Sequence, residues 1–115
     1  MSGKKKDKPK RGDIWWVAYN TSSGSEITKN RPSVVISNNL SNTHLSCFQV
    51  IPITSNIKRV YPGETLIQVG KKKGKAKANQ ITTVTKERVK NFESQLTSGE
   101  LREVEDALKT QLGLI

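Results

Sequence analysis

A carboxylate and a guanidinium bracket one polar stretch of this chain: Glu26 in Gly24-Ser25-Glu26, and Arg31 in Lys29-Asn30-Arg31-Pro32, just before the apolar run Val34-Val35-Ile36. A pair of hydroxyls, Thr54-Ser55, follows the apolar run Val50-Ile51-Pro52-Ile53. These residue types suit chemistry on a phosphodiester. An arginine fork binds phosphate oxygens in pairs and keeps its charge through a reaction, and hydroxyls hydrogen-bond a phosphate or an attacking oxygen. RNA needs little else, because its own 2'-hydroxyl attacks the adjacent phosphorus once a base, a charge stabiliser and alignment are supplied. On spacing alone two plainer readings stay open: Glu26 and Arg31 as a surface ion pair of small value, and Thr54-Ser55 as the polar end of a strand.

Other chemistries are narrowed by what is missing. His44 is the only histidine, so a mechanism with two histidines as acid and base is excluded, and His44 itself reads as a loop residue facing solvent. Asp, Glu, His and Cys fall at no metal-ligand spacing, so neither a metal nor another cofactor is expected. Cys47, the only cysteine, cannot form an intramolecular disulfide, and beside Phe48 it reads as a small hydrophobe. Twenty Lys and Arg against ten Asp and Glu leave a formal charge of +10, which favours a phosphate-bearing partner and says nothing about fold. No apolar run is long enough to span a membrane, and the basic amino terminus lacks the apolar region of a secretory signal, so a cytoplasmic protein is expected.

The 115 residues fit one domain, 11–115, preceded by a disordered basic arm, 1–10. Within it Asp13–Tyr19 reads as a first strand and 20–30 as a long loop, with Pro32 holding Arg31 extended where loop becomes sheet. A second strand is expected over Ser33–Ser37, a polar turn over 38–46, and a strand buried on both sides over Cys47–Ile53. Pro62-Gly63 turns the chain into Thr65–Val69, and Gly70, Lys71, Lys72, Lys73 and Gly74 read as a hairpin tip. The sheet then resumes from Ala76 to Val84, Thr85 caps a single helical turn, and Asn91–Leu96 is a last strand.

Thr97-x-x-Glu100 is a capping box, and Leu101, Val104, Leu108 and Leu112 follow at helical spacing before Gly113. The pattern predicts a small α+β domain whose short antiparallel strands bend into a partial barrel, sealed by a carboxyl-terminal amphipathic helix. Ile14, Val34, Ile36, Val50, Ile53 and Ile67 are its expected core. The adjacent Trp15 and Trp16 must point to opposite faces of their strand.

Gly24-Ser25-Glu26, Arg31-Pro32-x-Val34-Val35-Ile36-Ser37-Asn38, Pro52-Ile53-Thr54-Ser55, Gln80-Ile81 and Lys86-x-Arg88-Val89, in this order and spacing, resemble the MazF/PemK/Kid family of toxins. The resemblance runs from Arg11 into the final helix. It implies an SH3-like partial barrel of the kind shared by MazF and CcdB toxins, a homodimer, and a sequence-specific, ribosome-independent endoribonuclease acting on single-stranded RNA. The implied reaction is metal-independent, leaves a 2',3'-cyclic phosphate and a 5'-hydroxyl, and is blocked by a MazE-like antitoxin.

By the same resemblance Arg31 and Thr54 are the catalytic residues. Arg31 would hold the transition-state charge and protonate the leaving oxygen, and Thr54 would orient the scissile phosphate. Ser25 and Glu26 fall on a loop beside the active site, and Asn38, Ser55, Asn79 and Gln80 on positions that line the RNA groove. The chain departs from the family where Gly74 replaces a common serine and Thr85 a common acidic residue, which leaves the cut-site preference open. Lysines 71, 72, 73, 75 and 77 read either as an extended phosphate track or as a solvated hairpin. Two rival functions fit the charge and the fold, an RNA-binding barrel without catalysis and a toxin that poisons a topoisomerase through protein contacts.

Overall fold

Short runs of β-branched and aromatic residues, cut by glycine, proline and polar turns, give seven strands and two helices in the computed structural model, which describes residues 8–19 and 29–114. In chain order they are β1 (Asp13–Ala18), β2 (Asn30–Val35), α1 (Asn39–His44), β3 (Cys47–Thr54), β4 (Glu64–Val69), β5 (Lys72–Lys77), β6 (Thr82–Thr85), β7 (Val89–Gln95) and α2 (Ser98–Leu112). The sheet order is β4-β5-β3-β2-β1-β7 with β6 also on β3, and each of these pairs is antiparallel.

The bend of the sheet originates in β3. One side of this strand pairs with β2, Val50 opposite Val35 and Pro52 opposite Ser33. Its other side pairs with β6 through Cys47–Val50, then with β5 through Ile53 and Thr54. The exchange of partners falls at Ile51-Pro52, where the proline ring has no N–H to give to a ladder. A strand that serves two partners on one side curls its sheet, and the result is the half-barrel expected from the sequence.

Side-chain alternation then divides the core in two. Ile14, Val34 and Ile51 face α2, together with Ile36, Ile53, Ile67, Ala76 and Ala78, and meet Val104 and Ala107 of the helix. Their neighbours Trp15, Val35 and Val50 face the other way and pack with Val17, Phe48 and Val84. All six residues expected in the core are buried. Trp15 is 4% exposed and Trp16 36%, so the two indoles occupy opposite faces as their adjacency requires.

Helix α2 is held at both ends by the sequence signals that predict it. Thr97 Oγ1 accepts from the Glu100 amide at 3.1 Å, and Glu100 Oε1 accepts from the Thr97 amide at 3.0 Å. The second oxygen of Glu100 accepts from the Gln68 amide at 2.9 Å, which ties the helix to the edge strand β4. Gly113 ends the helix in the left-handed region at φ 70°. Arg11 bonds the Ile36 carbonyl and pairs with Glu105, closing the amino-terminal segment onto α2.

Several boundaries differ from expectation. The polar segment 38–46 contains the short helix α1, because the Asn38 side chain accepts from the Ser41 amide at 2.8 Å and starts a turn where only polar loop is legible. β2 starts at Asn30 and ends at Val35, the β4–β5 turn is confined to Gly70 and Lys71, and a 3-10 turn at Ala78–Gln80 interrupts the run from Ala76 to Val84. Thr85 precedes a 3-10 turn, Lys86–Arg88, without a side-chain capping bond; the first amide of the turn, that of Lys86, donates instead to the Ser46 carbonyl at 3.0 Å. Leu112 is 52% exposed, and Ala107 takes a place in the core; the helix has outrun the sheet by its last turn, where Gln111 packs on Gly63.

Candidate active site

Arg31 stands near the start of β2, opposite Val17 of β1. Pro32 disfavours helix for it and keeps the backbone extended. Its Nε is buried and has no hydrogen-bond partner, one of two such side-chain atoms among the described residues. An orphaned buried donor costs about 1–3 kcal/mol, so Arg31 is held here at an expense to the fold.

A hydroxyl relay steadies the strand beneath it. Ser33 Oγ donates to the Arg31 carbonyl at 3.3 Å, and Tyr19 Oη lies 2.6 Å from Ser33 Oγ. Because Ser33 has a single hydroxyl proton, that geometry makes Tyr19 the donor to Ser33. Burial pushes the Tyr19 phenol up to about 12, against the opposing pull of the Arg31 charge. Tyr19 is therefore a neutral prop at physiological pH.

Thr54 ends β3, opposite Lys75 of β5. Its Oγ1 accepts from the Asn56 amide at 3.3 Å, which fixes the hydroxyl and leaves its proton for another acceptor. The loop that follows is fastened from below. Lys75 Nζ, almost wholly buried, donates to the Arg59 carbonyl at 2.6 Å and lies 3.4 Å from Glu64 Oε1. Lys77 reaches the other Glu64 oxygen at 3.1 Å, and the Tyr61 amide donates to Glu64 Oε1 at 2.9 Å. Burial alone would raise the Glu64 pKa, but the Tyr61 amide, Lys77 and Lys75 outweigh it and hold the carboxyl below its ordinary value.

These elements enclose an open groove of about 350 Å³. Arg31, Thr54 and Ser55 line it together with Asn30, Lys72 and Lys73; Trp16, Pro32, Ile53 and Val69 supply apolar wall, and Gly74 and Glu93 complete it. Gly74 is there as a glycine for a steric reason, since a Cβ would stand 2.5 Å from Ile53 Cγ2. The groove thus gathers a planar cation, a fixed hydroxyl and two further cations, a set chemically suited to a phosphate.

Of the residues singled out in the sequence, Arg31, Thr54 and Ser55 are brought to this groove. Ser25 and Glu26 lie outside the described residues. Asn38 spends its side-chain oxygen on the α1 cap. Asn79, exposed, and Gln80, partly buried, sit in the 3-10 turn after β5, and neither they nor Asn38 are among the residues lining the groove. The Tyr19–Ser33 relay and Glu93 carried no motif; only strand alternation, applied with knowledge of which strands are neighbours, finds them.

Residues 10–112 match the family of PemK-like, MazF-like toxins of type II toxin-antitoxin systems. The chain is 36% identical over 114 residues to Endoribonuclease MazF9 of Mycobacterium tuberculosis, an alignment covering 91% of this chain and 97% of that protein. Among solved structures, MazF from Deinococcus radiodurans superposes with a TM-score of 0.81 at 24% identity, over 94% of this chain and 99% of that one. A mycobacterial endoribonuclease in complex with its cognate antitoxin gives 0.76 at 23%, over 93% and 97%. The structural likenesses establish the shared fold. The chain belongs to the PemK-like, MazF-like toxins, the endoribonuclease toxins of type II toxin-antitoxin systems.

Proposed function

We propose that this toxin cuts single-stranded RNA at short sequences, without a ribosome or a metal ion, by in-line attack of a 2'-hydroxyl on the adjacent phosphorus. The new bond joins the 2'-oxygen to phosphorus, the bond to the 5'-oxygen breaks, and the proton lost by the nucleophile is balanced by the one gained at the leaving oxygen. The products are a 2',3'-cyclic phosphate and a 5'-hydroxyl. Arg31 holds the charge that develops on the non-bridging oxygens, and Thr54 orients the phosphate with its hydroxyl proton. The observation that carries this reading is the buried Arg31 Nε, without a partner, in a groove it shares with Thr54, Lys72 and Lys73.

The proposal extends to the setting. Ser25 and Glu26 act from the loop beside the groove, and Asn38, Asn79 and Gln80 contact RNA beyond it. The toxin works in the cytoplasm as a homodimer, the segment 1–10 is a basic arm outside the catalytic domain, and a MazE-like antitoxin silences the groove. A cognate antitoxin bound to the mycobacterial structural neighbour supports the last point. RNA binding without catalysis is the rival reading that the charge of +10 also allows.

Incubating the purified chain with a long single-stranded RNA in excess chelator, beside Arg31→Ala, tests the reaction. Discrete cuts bearing cyclic phosphate and 5'-hydroxyl ends, lost in the variant, are expected. Intact RNA bound by both proteins would overturn the reading in favour of a binding module.

A further inference from the structure

Resting on that reading, we infer that Lys75 is a positioning residue for the cleavage: from beneath the groove it fixes the turn that holds the Thr54 hydroxyl, and so sets the direction in which that hydroxyl meets the phosphate. Lys72 and Lys73 line the groove, whereas Lys75, on the same hairpin, does not. It is 6% exposed, so its charge acts inside the protein and not on a ligand in solution. A buried ammonium is unfavourable unless it is paired and hydrogen-bonded. Glu64 is the paired carboxylate, yet Lys77 and the Tyr61 amide already answer Glu64. What Lys75 adds to the cluster is its bond to the loop.

A series of contacts leads from that bond to Thr54. Lys75 stands opposite Thr54 where β5 pairs with β3, and opposed residues of an antiparallel pair present their side chains on one face. Its Nζ donates to the Arg59 carbonyl at 2.6 Å, the shorter of its two contacts, with Glu64 Oε1 at 3.4 Å. This pins the far end of the segment 55–59, which belongs to no helix or strand. At the near end the Asn56 amide donates to Thr54 Oγ1 at 3.3 Å, and Asn56 Oδ1 accepts from the Lys58 amide at 3.2 Å. Both of these bonds are exposed, so water competes for them and each adds little by itself. The Lys75 bond, from a buried ammonium, closes the segment over them. Without it Thr54 keeps its place at the end of β3, but its hydroxyl loses a fixed direction. A displacement of about 1 Å in an aligning group lowers the rate by up to about 10²-fold.

The test is Lys75→Met. Lys77 and the Tyr61 amide still answer Glu64 in this variant, so no unpaired buried charge arises and the urea midpoint is expected to stay near that of the wild type. On a short RNA carrying the preferred word, kcat is expected to fall at least ten-fold with KM within two-fold, since the cations that line the groove are untouched. The order parameter of the Thr54 methyl group, measured by NMR relaxation on the free protein, is expected to drop as the side chain begins to exchange rotamers. In a Thr54→Ala background the same substitution should leave single-turnover cleavage unchanged. A merely structural role would lower the rate by the same factor in both backgrounds and leave Thr54 ordered; either result overturns the assignment, as does a rise in KM at constant kcat. Should Lys75→Met fail to fold, Asn56→Ala breaks the same turn from its exposed end, and wild-type kcat together with wild-type Thr54 order in that variant would overturn the proposal. If the wild type cuts no RNA, the catalytic reading fails separately, and the Thr54 order parameter alone decides whether Lys75 positions the hydroxyl.

Discussion

Gly74 and Ile53 meet so closely across β5 and β3 that a methyl group on the glycine would stand 2.5 Å from Ile53 Cγ2, with Val69 Cγ2 at 3.3 Å and the Thr54 carbonyl at 3.5 Å behind it. Ile53 is buried and is followed by Thr54, so it cannot retreat without carrying the hydroxyl with it. Gly74→Ala is expected to cost about 1–3 kcal/mol by overpacking. It should also slow RNA cleavage by up to about 10²-fold, because a small displacement of an aligning group is expensive in rate. Urea unfolding beside single-turnover cleavage checks both. Wild-type stability with wild-type cutting would show that β5 yields there freely.

Arg31 should trade stability for activity. Its buried Nε is without a partner, so Arg31→Met, which removes the stranded donor and keeps the length of the stem, is expected to unfold at equal or higher urea, by about 1 kcal/mol, while losing cleavage. Arg31→Lys keeps the charge and loses the fork; a fall of about 10²–10³ in kcat is expected from the missing paired contact. Loss of stability in Arg31→Met would mean that the guanidinium serves the fold first.

The parts of this arrangement that were legible in the sequence are those set by local rules. The Thr97 and Glu100 capping box, Gly113, the alternation that separates Trp15 from Trp16, and Pro32 ahead of Val34 each act within a few residues, and each was found where expected. Arg31 and Thr54 were reached through a resemblance, because the contact of β2 and β3 that brings their strands together depends on pairing across the chain. Glu93 was not legible at all: β7 must pair with β1 before residue 93 stands beside Trp16, and a one-residue slip would send it to the other face. The helix at Asn39–His44 was hidden for the opposite reason, since Asn, Ser and Thr that cap a short helix also compose a loop.

The buried cluster around Glu64 predicts an acid response. Its pKa is lowered in the folded state, so the native form binds the proton less tightly than the unfolded chain does. The stabilisation is complete above the ordinary value of 4.5 and is lost as pH falls through the lowered folded value. Glu64→Gln should flatten that decline and be less stable than wild type at neutral pH by about 3–5 kcal/mol, since Lys75 then stays buried with its charge unanswered. Chemical unfolding at pH 7 and at steps below pH 5 tests it, and parallel curves for the two proteins would dismiss the cluster as an acid-sensitive element.

The Tyr19 phenol makes the complementary prediction at alkaline pH. Its folded value is about 12 and its ordinary value 10.0, the increase coming from burial. Between these the unfolded chain has lost a proton that the native protein retains, so unfolding releases a proton and stability falls as pH rises. Below about pH 9 both states are protonated and Tyr19 contributes no slope. Lysines also titrate in this range, so the contribution is read as the difference between wild type and Tyr19→Phe. The variant should lose about 1 kcal/mol at pH 7, because the Ser33 hydroxyl then lacks its donor, and the gap should narrow or reverse by pH 11. A gap that stays constant from pH 7 to 11 would show that the phenol titrates alike in both states, and would remove the neutral prop beneath Arg31.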